Sequence, residues 1–90
     1  MVETVLFENE QVLDRSAVAA YLRTMADSLE EGSEITLSAG GQEATFAPPS
    51  QVEFEVKAER EGPENGDGEL SIEVELEWPE NATDTELSIE

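Results

Sequence analysis

The sequence predicts an α+β fold in which one helix packs on one face of a mainly antiparallel sheet of about five strands, in the order β-α-β-β-β-β. Three observations predict it. Residues 69–78 alternate polar and apolar side chains, as a half-buried strand does, and residues 52–59 repeat the alternation. Between residues 16 and 31, apolar side chains recur at helical spacing instead. A helix and several strands of this kind bury their apolar sides by packing in two layers.

The amino-terminal part of the chain predicts one strand and the helix. The segment from Val2 to Phe7 is rich in β-branched and aromatic residues, which favours a strand. Asp14 or Ser16 is a suitable N-cap for the helix, and Gly32 is a suitable left-handed C-cap after Glu31. We expect one apolar stripe of this helix to face the sheet, and it consists of Val18, Tyr21, Leu22, Met25 and Leu29.

A short hairpin is predicted after the helix. Its arms are Ile35 to Ala39 and Glu43 to Ala47, and they flank Gly40 and Gly41. A glycine pair adopts the positive φ angles of a tight hairpin turn at little cost. The prolines at positions 48 and 49 end the second arm, because proline cannot donate to a sheet ladder.

Two long strands complete the predicted fold. The turn-forming segment EGPENGDG joins residues 52–59 to residues 69–78, so the two strands most simply pair as an antiparallel hairpin. Pro79 ends the second strand after Trp78. The even-numbered residues then share an apolar face, and we expect the helix stripe to bury this face as the core. The opposite face is expected to be solvated, and it carries Lys57 among Glu53, Glu55, Glu59, Glu69, Glu73, Glu75 and Glu77.

The charge balance indicates the environment of the protein. The chain has 23 acidic and four basic residues, which gives a net charge of -19. This charge repels itself in dilute buffer, whereas salt near 1 M shortens the Debye length to about 3 Å. We therefore expect a halophilic cytoplasmic protein, and a mesophilic protein that imitates nucleic acid is the alternative. The same charge predicts no binding to nucleic acid or to an anionic membrane.

No feature of the sequence indicates an enzyme. The chain has no histidine and no cysteine, which excludes imidazole and thiolate catalysis and the metal sites that those groups form. The acidic residues show no sign of a cleft, a raised pKa or a partner nucleophile. The segment with Glu64, Asn65 and Asp67 lacks the spacing of a calcium-binding loop. We therefore expect no catalytic residue, no cofactor and no metal ion.

Four segments together resemble a known family. They are DRSAVAAYLRTMADSLEEG, ITLSAGG, VEFEVKAERE and the closing LSIEVELEWP. In this combination they are similar to the amphi-Trp domain, a family of small proteins common in halophilic archaea and named for an amphipathic last strand that ends in tryptophan. The resemblance covers about residues 4–79 and implies a fold and a class of organism, but no activity. The positions carried across from the family are Arg15 and Trp78.

Two function classes stay open. The first is a non-catalytic module that binds an unknown protein partner, with Trp78 and Arg15 as candidate contacts. The second is a small-molecule or divalent-cation-binding protein. Because Trp78 falls on the apolar, even-numbered side of its strand, we expect it to close the end of the core. The alternative is that Trp78 is partly exposed and contacts a partner. Arg15 and Arg23 are expected to form local salt bridges.

The domain and its assembly are predicted from the same features. Residues 1–79 form a single domain, and residues 80–90 are expected to be a disordered tail, with a weak edge strand over residues 86–89 as the alternative. The chain is expected to be a monomer or a weak homodimer through a sheet edge.

Overall fold

A computed structural model describes residues 2–82 of the chain. Contacts between residues divide the chain into two compact units, with the boundary between Pro48 and Pro49. The first unit contains the helix α1 (Arg15–Glu31) and the strands β1 (Ile35–Ala39) and β2 (Gln42–Phe46). The second contains the strands β3 (Glu53–Glu61) and β4 (Glu69–Glu77). Residues 83–90 of the predicted tail, including the alternative edge strand over residues 86–89, lie outside the described residues.

The ends of α1 confirm the predicted boundaries. Asp14 is the N-cap and has extended backbone angles, but within the described residues its side chain makes no capping hydrogen bond. Its carbonyl accepts hydrogen bonds from the N–H groups of Ala17 and Val18 at 3.0 and 3.1 Å. Gly32 has a φ of 70°, the left-handed conformation expected of a C-cap. The N–H of Gly32 donates to the Leu29 carbonyl, and that of Ser33 donates to the Ser28 carbonyl. These two bonds form a Schellman motif, which satisfies carbonyls that the helix end would leave unpaired.

The predicted first strand is wrong. Residues 2–14 contain no strand and no helix, although the β-propensity of Val2 to Phe7 is high. Val2, Val5 and Leu6 are exposed, and Phe7 is half-buried. A strand requires a ladder partner, and propensity without that partner does not form one. One hydrogen bond ties this segment to the hairpin, from Gln42 Nε2 to the Glu8 carbonyl at 3.2 Å.

The hairpin of β1 and β2 is confirmed. Ile35 pairs with Phe46 and Ala39 pairs with Gln42, so the loop consists of two glycines, with φ angles of 56° and 81°. The second arm begins and ends one residue earlier than predicted. Thr36 and Thr45 are paired across the strands, and their hydroxyls are hydrogen-bonded at 2.9 Å. The opposite face is half-buried, at Ile35, Leu37, Ala39, Ala44 and Phe46.

The helix contacts β1, its neighbour in the first unit. Met25 and Leu29 in its carboxyl-terminal half are half-buried, whereas Tyr21 and Leu22 in the preceding turns are 69% and 55% exposed. The predicted apolar stripe is therefore only partly covered. A helix beside an antiparallel hairpin confirms the α+β class in its coarse form.

The pairing of β3 with β4 is also confirmed. The strands are antiparallel, with Phe54 opposite Leu76 and Val56 opposite Val74, so even-numbered residues face even-numbered residues throughout. The prediction of one sheet of about five strands is wrong, because the described residues form two separate two-stranded sheets. No side chain among residues 2–82 is buried, so the predicted core on the even-numbered residues is also wrong for this part of the chain. A two-stranded sheet has no second layer of its own to cover an apolar face.

Candidate interaction surface

The even-numbered residues of β3 and β4 form one continuous surface, here called the even face. Antiparallel pairing in this register places them on the same side of the hairpin. Most of these side chains are apolar and well exposed, with exposed fractions from 58% to 84% for the five large ones. The even face consists of Phe54, Val56, Ala58, Arg60, Leu70, Ile72, Val74 and Leu76, of which Leu76 is half-buried.

The even face contains no carboxylate. Every acidic residue of β3 and β4 has an odd number and lies on the opposite side of the hairpin, here called the odd face. In a chain with 23 acidic residues, this separation leaves an apolar surface with no local negative charge. Exposed apolar surface that is contiguous, and not scattered singly, marks interaction sites.

Arg60 is the one charged residue of the even face. Its guanidinium turns to the loop between the strands, where Nη2 donates to the carbonyls of Pro63 and Gly66 at 2.9 and 2.8 Å. Charge-assisted hydrogen bonds of this kind are stronger than neutral ones. Arg60 therefore secures the loop that joins β3 to β4. This role was not predicted from the sequence, where the available signal was the position of Arg60 directly before the turn-forming segment.

Two glycines allow the close crossing of the chain at the base of this loop. Gly62 has a φ of 144°, and a Cβ built on it would lie 2.6 Å from the Cα of Gly68. A Cβ on Gly68 would lie 2.5 Å from the carbonyl oxygen of Glu61. Real Cβ atoms do not approach backbone atoms so closely, so both positions need glycine.

The odd face concentrates negative charge at the end of the hairpin away from the loop. Glu53 is directly opposite Glu77, and Glu55 is directly opposite Glu75. The pKa of Glu77 is raised above its ordinary value. The largest cause is a hydrogen bond with the side chain of Glu75, and the next are the negative charges of Glu53 and Glu75. Farther along the same face, Lys57 Nζ lies 2.6 Å from a carboxylate oxygen of Glu59. Within residues 2–82, neither lysine nor arginine forms an ion pair with Glu53, Glu55, Glu75 or Glu77.

Trp78 lies at this end of the hairpin, directly after β4. It is half-buried, between the two predicted alternatives of a core residue and an exposed contact. A cleft of about 270 Å³ lies beside it, and its walls are formed by Gln51, Glu53, Glu77, Trp78 and Pro79. The cleft is thus bordered by an aromatic ring and two carboxylates.

Arg15 is placed apart from these features in the chain, as the first residue of α1 in the first unit. Within residues 2–82, neither Arg15 nor Arg23 forms an ion pair, so the predicted local salt bridges are wrong for the described residues. Among the same residues, no group of three or more acidic side chains is arranged to hold a metal ion.

Comparison with known proteins identifies the family. The family model of the Amphi-Trp domain matches residues 1–90. The chain belongs to the Amphi-Trp domain family. The match extends beyond residues 4–79, over which the resemblance is visible in the four segments quoted above. No curated protein and no solved structure matches the chain.

β4 is the last strand of the described residues, and Trp78 lies directly after it. The amphipathic character is displayed in the structure as the separation between the even and odd faces. The helix α1, the single helix of the described residues, is not long and apolar enough to cross a membrane.

Proposed function

We propose that this Amphi-Trp domain protein is a non-catalytic interaction module that works at high salt in a halophilic cytoplasm. It binds a protein partner through the even face of the β3–β4 hairpin. The observation that carries the proposal is the exposure of an apolar, carboxylate-free face on an otherwise strongly acidic chain. The partner surface is expected to be apolar and poor in carboxylates.

The physical reason is the different salt dependence of the two faces. At molar salt the Debye length is about 3 Å, so the repulsion between an acidic chain and an acidic partner is largely screened. Apolar contact persists under these conditions, and excluded salts strengthen it. An apolar face of this kind is therefore suited to association at molar salt. The odd face keeps the complex hydrated, and Trp78 and Arg15 stay candidate contacts.

Site-specific photo-crosslinking tests the proposal. A benzoylphenylalanine is placed at Val74 on the even face or, as the matched control, at Glu73 on the odd face, and the chain is illuminated in lysate at about 3 M KCl. The captured protein is identified, purified and titrated against the Ile72→Glu and Ser71→Glu variants. These variants add the same charge at neighbouring positions on opposite faces.

The expected result is capture from position 74 and not from position 73. Ile72→Glu should weaken binding of the purified partner at least about tenfold, and Ser71→Glu less than about threefold. Equal capture from both positions, or equal effects of both substitutions, would contradict the proposal. The alternative function, binding of a small molecule or a divalent cation, predicts a stoichiometric ligand in native mass spectra of the chain purified at molar salt.

A further inference from the structure

The even face points to one partner in particular, and we propose that this partner is a second copy of the same chain. The inference rests on the proposed function and names its partner. Two β3–β4 hairpins would pack with their even faces together, and the two odd faces would point outward to solvent. Each hairpin would then supply the second layer that the other lacks.

Charge favours this arrangement over other contacts between two copies. Each chain carries a net charge of -19, so most ways of bringing two copies together place carboxylates against carboxylates. The even face is different, because none of its eight positions is acidic. Its one charge, on Arg60, is directed to the carbonyls of Pro63 and Gly66. Two even faces therefore meet without any local like-charge contact between carboxylates.

The geometry of the face suits a symmetric pair. Val56 and Val74 are directly opposite each other near the middle of the hairpin, and larger side chains lie towards both ends, at Phe54 and at Ile72 with Leu70. Two sheets pack face to face about 10 Å apart when their inner side chains interdigitate. The middle of the even face lies between the Val56–Val74 and Ala58–Ile72 pairs. A twofold axis in the interface, perpendicular to the strands at this point, would place the valine pair of each copy against Ala58 and Ile72 of the other, which makes the interface isologous.

The exposed area predicts a weak dimer. Five large side chains, each 58–84% exposed, provide on the order of 300 to 400 Å² of apolar surface per copy. Stable interfaces use about 800 Å² per partner, and smaller ones are typical of weak, transient association. The dimer is therefore expected to form in the range from about 10 μM to 1 mM, which is the range to be measured.

Sedimentation velocity of the full chain at about 3 M KCl tests the inference. We expect a reversible monomer–dimer equilibrium, weakened at least about tenfold by Ile72→Glu and less than about threefold by Ser71→Glu. Val74→Gln, which adds no charge, is a second even-face variant and should also weaken the dimer. Far-UV circular dichroism confirms that each variant keeps the wild-type secondary structure before it is compared. If an even-face variant fails this check, the comparison uses the other one.

Three results would overturn the inference. They are a monomer throughout at about 1 mM, a dimer insensitive to the even-face substitutions, and a dimer equally sensitive to Ser71→Glu. The crosslinking experiment separates this failure from that of the proposed function. Capture of a different protein from Val74 by a monomeric chain refutes the second copy and supports the interaction module. A monomer with no capture from Val74 refutes both.

Discussion

Replacement of Gly68 by alanine should destabilise the β3–β4 hairpin selectively. The new Cβ would lie 2.5 Å from the Glu61 carbonyl oxygen, whereas ordinary contact begins near 3.4 Å, so the two atoms must separate by about 0.9 Å. The same Cβ would also lie 3.2 Å from Arg60 Cζ. Neither neighbour can move away easily, because the first is a backbone atom and the second belongs to a side chain that is hydrogen-bonded to the loop. Overpacking of this kind costs about 1 to 3 kcal/mol. The strain falls on the residue pair of the β3–β4 ladder that is nearest to the loop, Glu61 with Glu69.

Trp78 makes the effect measurable, because it is the only tryptophan of the chain and lies in the same unit as Gly68. Thermal unfolding followed by tryptophan fluorescence at about 3 M KCl should show a Tm lowered by at least about 4 °C. Gly66→Ala is the matched control, because its Cβ would meet only the ring of Pro63, at 2.9 Å, and a ring at the surface can shift. A Gly68→Ala protein that unfolds within about 1 °C of wild type, or an equal effect of Gly66→Ala, would refute the close crossing.

Three further predictions concern charge. The Tm of the wild-type chain should rise by at least about 10 °C between about 0.05 M and 3 M KCl, and equal values by circular dichroism would contradict salt-dependent folding. Arg60→Ala and Arg60→Lys should both destabilise the hairpin, by about 1 kcal/mol for alanine and less for lysine, because the bonds to Pro63 and Gly66 are lost or weakened; no change in tryptophan-monitored unfolding would argue against this role. Because the pKa of Glu77 is raised, the folded chain still holds this proton at a pH where the unfolded chain has lost it. The contribution of Glu77 to the free energy of unfolding should therefore increase as the pH falls through the raised pKa towards 4.5, and stay constant at lower pH. Glu77→Gln should flatten this pH dependence at low salt, and an unchanged slope would contradict it.

Local features of the sequence were sufficient to predict the helix and both hairpins. Gly32 marks the end of α1 because a left-handed C-cap depends on residue type at a single position, whereas Asp14 precedes the helix without a capping hydrogen bond from its side chain in the described part of the chain. The pair Gly40 and Gly41 determines the β1–β2 turn in the same way. The parity of β3 and β4 followed from alternation alone, since antiparallel partners with the same pattern align their apolar residues.

Features that depend on more than one segment were predicted less well. Val2 to Phe7 has the composition of a strand, but its composition does not say which strand would pair with it. The joining of all strands into one sheet was wrong for the same reason. Arg15 and Arg23 were expected to form ion pairs because acidic residues are abundant, yet among residues 2–82 neither arginine pairs with a carboxylate. Exposed pairs of this kind gain little free energy even when they form. Arg60 was missed because its partners are backbone carbonyls, which every loop contains and no residue pattern reveals.

The partners of the two basic residues of the β3–β4 hairpin have a consequence for how this protein exchanges ions with its solvent. Lys57 is engaged with Glu59, and Arg60 donates to two loop carbonyls, so the hairpin leaves the charge of Glu53, Glu55, Glu75 and Glu77 to be balanced from outside. We therefore expect compaction of the chain to be coupled to the uptake of potassium or sodium ions from the medium. The slope of the logarithm of the folding equilibrium constant against the logarithm of salt concentration would count those ions, as comparable slopes count the ions released when proteins bind nucleic acid. The folded hairpin would thus associate with more cations than the unfolded chain does, and would release them on unfolding.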